Sequence, residues 1–118
     1  MEILVTDKEV SMGQIQALAE AWHGNAVKGV ADCKRGVLAL GGEWHMDANE
    51  KLLANGSIQE DVWGFNIYPN EKGSDAIAYT SLINIRPLQD NTEIELKDEN
   101  MRSCIKELVE KLIPELKL

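Results

Sequence analysis

Four side chains capable of chemistry lie close together in the sequence: His45, Asp47, Glu50 and Asp61. An imidazole with several carboxylates is a plausible donor set for a borderline divalent ion such as zinc or manganese, or an acid–base set. On a strand, His45 and Asp47 would point to the same side, and an adjoining helix could bring Glu50 near. The spacing His-x-Asp-x-x-Glu matches no metal-binding pattern with a mechanical rationale. A structural reading uses the same residues. Asp47-Ala48-Asn49-Glu50 has the form of a capping box, with Asp47 as helix N-cap, Glu50 as its partner, and His45 as a half-buried polar residue. Capping is the favoured reading. A metal-dependent hydrolase or phosphotransfer site built on His45, Asp47, Glu50 and Asp61 is the alternative, and no cofactor is implied.

A second polar set is Asn66, Ser81, Asn84 and Arg86. Two polar groups at a strand end can fix a carboxylate or phosphate, and Arg86 offers a bidentate fork. The plainer reading pairs Arg86 with one of the many acidic residues and leaves the asparagines to satisfy loop backbone. Other chemistries find less support. Gly41-Gly42 lacks the Lys-Ser/Thr and further glycine of a phosphate loop, and no serine-nucleophile elbow occurs. Cys33 beside Lys34 and Arg35 could have a lowered pKa, which Asp32 offsets. Cys104, near an apolar helix stripe, reads as packing. Trp22, Trp44 and Trp63 read as core or interface anchors that must place an indole N–H.

The elements that position these residues follow from pattern. Ile3-Leu4-Val5 opens as a strand. Ser11 with Gln14 forms a capping box for a helix whose stripe is Ile15, Leu18, Ala19 and Trp22, ended by Gly24. Two strands follow, 26–31 and 36–40, joined by a short loop ending in Gly36. The second is apolar throughout, as suits burial on both faces. Residues 47–56 read as a short helix, with a hairpin around Asn55-Gly56 as the competing reading. Trp63, Phe65 and Ile67 alternate as a half-buried strand. Residues 76–85 predict a long partner strand, and 92–96 a charged edge strand. Asp98 caps a final helix with a stripe of Met101, Ile105, Leu108 and Leu112, and Pro114 marks its end. Without regular β–α alternation, this order predicts a single α+β domain over residues 1–118: one largely antiparallel sheet with two main helices packed on one face.

Composition narrows the function. The chain has 118 residues and a formal net charge of −8, from 20 acidic against 12 basic residues. That charge disfavours nucleic acid and anionic lipid, whose binding draws on Lys and Arg. It leaves open a basic protein partner or a homo-oligomer. Two cysteines without a Cys-x-x-Cys pair, and an opening Met1-Glu2-Ile3-Leu4-Val5 without a basic leader region, make a reduced cytoplasmic setting the expectation.

Several strings act together: Asp32-x-x-Arg35-Gly36, then Gly41-Gly42-Glu43-x-His45-x-Asp47-x-x-Glu50-x-Leu52-Leu53. Gly56-Ser57-x-Gln59-x-Asp61-x-Trp63-Gly64 and Ser81-Leu82-Ile83-Asn84-Ile85-Arg86-Pro87 follow. In combination the chain resembles a family of small microbial proteins that carries only a domain-of-unknown-function label. The resemblance covers roughly Asp32 to the final helix, and it departs at Leu40 and near Asn49. It implies a small stand-alone domain and supplies no activity. The polar positions it matches are His45, Asp47, Glu50, Gln59, Asp61, Asn84 and Arg86, which become the candidate ligand-binding set. The expectation is a ligand- or protein-binding module. Its polar groove would be formed by the Gly41–Glu50 turn, the Asp61–Tyr68 strand and the Ser81–Pro87 strand, with His45, Asn84 and Arg86 converging in it.

Overall fold

A computed structural model describes residues Met1–Leu118. Five strands form one antiparallel sheet: β1 (Ile3–Thr6), β2 (Val27–Asp32), β3 (Val37–Gly41), β4 (Val62–Ile67) and β5 (Ile77–Ala78), in the order β1-β3-β2-β4-β5. Helices α1 (Met12–Glu20) and α3 (Glu99–Leu112) cover one face, and α2 (His45–Ala54) the other. The α+β class and the antiparallel sheet are as expected. The third, opposing helix adds a layer.

Strand alternation divides the core in two. Val27, Ala31, Leu38, Leu40, Trp63, Phe65 and Ile67 face α1 and α3, meeting Ile15, Leu18, Ile105 and Leu108. Val30, Val37, Ala39 and Val62 face α2, meeting Ala48 and Leu52. All five residues of β3 are buried, because helices lie over both of its faces. The capping box of α1 forms: Ser11 Oγ accepts from the Gln14 N–H at 3.1 Å, and Gln14 Oε1 accepts from the Ser11 N–H at 3.0 Å. Asp98 caps α3 through the N–H groups of Asn100 and Met101.

Several local expectations change. The 47–56 segment is helical as far as Ala54, not a hairpin, yet Asp47 is not the cap. The N-cap is Trp44, which contributes no side-chain hydrogen bond, and Asp47 is the third helical residue. The reason lies upstream. Gly41 and Gly42 both have positive φ and turn the chain early, and a Cβ on Gly41 would sit 2.6 Å from the Glu2 carbonyl oxygen. Glu50 is exposed and is not a capping partner.

The predicted strand over 76–85 stops after Ala78, and 92–96 contributes a single bridge, Thr80 to Glu95. Gly64 explains the break. A Cβ there would lie 2.6 Å from Ser81 Cβ and 3.1 Å from Ile83 Cγ1, so the chain leaves the sheet edge and folds over the glycine. Trp22 falls beyond α1 and is half-buried under Lys28 rather than in the helix stripe. Burial pushes the Cys33 thiol up to about 12, reinforced by Cys104 and Asp32, against the lowered value its basic neighbours suggested. Cys104 is exposed.

Candidate functional site

Where β5 ends, side chains continue the sheet. Asn84 is fully buried. Its Oδ1 accepts from the Gly64 N–H at 2.8 Å, and its Nδ2 donates to the Gly64 carbonyl at 3.0 Å, as a neighbouring strand residue would. The same amide reaches the Tyr79 and Ile94 carbonyls. Arg86 donates from both terminal nitrogens, to the carbonyls of Gln59 and Val62, and stacks 3.6 Å over the Trp63 ring. It forms no ion pair, so neither a ligand fork nor an acidic partner describes it. Asn91 ties the loop together, donating to the carbonyls of Asn84, Glu93 and Glu95 and accepting from the Lys97 N–H.

The other predicted polar residues are placed as follows. The Gln59 and Asn49 amides exchange two hydrogen bonds, at 2.8 and 3.0 Å. Asp61 pairs with Lys34 at 3.3 Å. Asp47 and Glu50 are exposed on α2. No group of three or more His, Cys, Asp or Glu side chains is placed to hold a metal ion. Asp32, not singled out as a site residue, is completely buried. It accepts from Ser57 Oγ at 2.6 Å and from the Arg35 N–H at 3.1 Å, while the Arg35 guanidinium donates to Ser57 and Asn55. That network fastens the β2–β3 turn to the end of α2.

His45 alone of the seven lines either of two adjoining concavities. One groove, of about 440 Å³, is walled by Trp44, Met46, Leu82 and Ile83 with Lys28, His45 and Ser81. A second, of about 520 Å³, is lined by Trp22, His23, Asn66, Tyr68 and their neighbours, and shares Lys28 and His45 with the first. Asn84 and Arg86 line neither. The turn before α2 and residues 81–83 meet in the first groove, while Asn66 and Tyr68 line only the second. The expected convergence of His45, Asn84 and Arg86 in one polar groove does not occur, and the wall nearest α2 is apolar. Trp44 is 61% exposed, Met46 48% and Leu82 75%.

The basic groups at the junction follow from the register. Lys28 on β2 lies opposite Asn66 on β4, on the face that carries α2, and His45 opens α2 above them. The Lys28 ammonium sits 3.6 Å over the Trp22 ring. Burial holds its pKa below the usual 10.5, partly offset by the charge of Glu43. His45 Nε2 lies 2.8 Å from the Phe65 carbonyl oxygen. A carbonyl can only accept, so Nε2 carries the proton and Nδ1 keeps the lone pair in the neutral ring. Burial lowers the His45 pKa below 6.5; the Phe65 bond opposes this and the Lys28 charge adds to it.

Sequence reasoning missed Lys28, Leu82 and Ile83 as lining residues. Lys28 leaves a trace, a lone cation inside a strand beginning Val27-Lys28-Gly29-Val30. Leu82 and Ile83 leave none, because a strand reading would have paired them in the sheet.

The fold and the groove define a small α+β domain with an antiparallel five-stranded sheet and a partly apolar surface groove. Within that class the chain belongs to DUF5674, a family described as proteins of unknown function, which matches residues 4–112. No curated protein and no solved structure matches the chain. No helix is long and apolar enough to cross a membrane.

Proposed function

We propose that this protein is a binding module whose site is the groove at the amino-terminal end of α2. One observation carries the reading: Trp44, Met46 and Leu82 stay exposed while walling the same concavity. Apolar side chains scattered singly over a surface need no explanation, but several gathered in a concave site mark a place where apolar surface is received. Trp and Met suit such a site, the one as a rigid anchor and the other as an adaptable wall. Of the residues that could have made a polar groove, Gln59, Asn84 and Arg86 are engaged in internal hydrogen bonds, and Asp47 and Glu50 lie exposed outside the concavity.

The probe is 1-octanol, titrated into the intact protein and followed by amide NMR. The expected result is saturable shifts concentrated at residues 44–46 and 81–83, removed by Leu82→Ser in a protein that keeps its fold. Shifts scattered over the surface, or unchanged by that substitution, would overturn the reading.

A further inference from the structure

We infer that the groove takes an amphipathic monocarboxylate, its alkyl chain between Trp44, Met46, Leu82 and Ile83 and its head at Lys28 and His45. The inference rests on the binding reading above and adds the ligand's chemical class. The argument begins with charge. In a chain with 20 acidic residues, the ion pairs are Lys34–Asp61, Lys97–Glu93 and Lys97–Glu95; Lys28 has no carboxylate within 4.0 Å. Its ammonium instead rests on an aromatic face at the point where the two grooves join.

His45, beside it, has one ring nitrogen committed to the Phe65 carbonyl. Each of the two basic groups is disfavoured in its charged form by burial, and Lys28 further disfavours the charge on His45. A carboxylate between them would relieve both, since an anion nearby favours the charged form of each. The leading turn of α2 presents N–H groups that no side chain caps, and the Asp47 carboxylate in that turn offsets part of their field.

The anion's charge is bounded from the other side. Glu43 is near enough to Lys28 for its charge to be felt, and a dianion such as a phosphate monoester would meet that repulsion with one lysine to offset it. One negative charge fits. The body is set by the wall, which is apolar and partly open to solvent, as suits an alkyl chain. Binding also has a proton consequence. With a carboxylate at hand, His45 takes up a proton at pH values where the free protein keeps it neutral.

The experiment titrates the full chain with octanoate, 1-octanol, octylamine and N-acetyl-leucine, following amide shifts and the His45 ring resonances. Octanoate is expected to bind about tenfold more tightly than 1-octanol, the scale of one charge-assisted hydrogen bond. Octylamine is expected to be the weakest of the three octyl probes. Lys28→Met should abolish the preference for octanoate over 1-octanol, while Lys28→Arg should retain it. Octanoate alone should move the His45 ring toward its protonated signature. If 1-octanol equals or exceeds octanoate, the carboxylate class falls and the groove reading stands. If N-acetyl-leucine outbinds octanoate, the head is right and the alkyl body wrong, and the inference is overturned in favour of a peptide carboxy terminus. If no probe perturbs Trp44 or Leu82, both readings fall together.

Discussion

Two regions that adjoin at Ile83 use their residues in opposite ways. In the loop beyond it, Asn84, Arg86 and Asn91 are polar side chains turned inward, bonded to backbone groups of β4, of the turn before it and of the loop itself. In the groove, Trp44, Met46 and Leu82 are apolar side chains turned outward, and Lys28 lacks an ionic partner. The polar residues are scaffold and the apolar ones are surface. What separates a building group from a binding group is whether its bonding is already satisfied, and residue type does not decide that.

The comparison breaks most visibly at Asn84. Asn84→Leu removes its hydrogen bonds and leaves the buried Gly64 N–H and carbonyl without partners. The expected loss is about 3 kcal/mol, read from urea unfolding. A loss below about 1 kcal/mol would mean that the amide does not replace a strand. Next comes Gly64→Ala, whose Cβ would meet Ser81 Cβ at 2.6 Å. Overpacking there is expected to remove about 2 kcal/mol, and the shifted 81–83 segment should weaken octanol binding in the same variant.

A pH series probes the groove side. The folded pKa of His45 lies below its ordinary 6.5, with Lys28 facing it from β2 and Phe65 and Asn66 from β4. Between the folded and unfolded values the unfolded chain binds more protons. This contribution is therefore present above pH 6.5 and is lost as pH falls through that value toward the folded one. Unfolding free energies measured across that window should show the slope in wild type and a flatter line in His45→Gln.

The smallest effects are expected at exposed positions. Leu82→Ser should change stability by no more than about 0.5 kcal/mol while abolishing octanol shifts. Asp47→Ala should cost about 0.3 kcal/mol, the scale of a charge in the first helical turn, not the ~1 kcal/mol of a lost N-cap. A thermal melt showing the larger value would return Asp47 to the capping role.

Much of the fold was legible in the sequence because it rests on local physics. Ser11 with Gln14, the period-two run Trp63-Phe65-Ile67, Asp98 ahead of a 3.6-period stripe, and the Gly41-Gly42 turn each state their element within a few residues. The site was legible only in part. His45 and the turn before α2 could be named, because motif spacing points to segments, whereas Asn84 and Arg86, expected beside His45, line neither groove. Which residues face the groove could not be, since that depends on groups far apart in the chain.

Sequence by itself determined the class: an α+β domain with an antiparallel sheet, the starts of α1 and α3, and its acid balance. Tertiary structure alone decided that Asn84 and Arg86 work as sheet edge, that α2 opens at Trp44, and that Lys28 comes to lie beside His45. The physical reason is Gly64. Without a side chain there, Ser81 and Ile83 can pack onto β4, the chain must leave the sheet, and the abandoned backbone groups must find partners among side chains that a strand would have turned to other uses. No local pattern records that choice, because it depends on the space left empty at one position and the chain that arrives there from the far side of a turn.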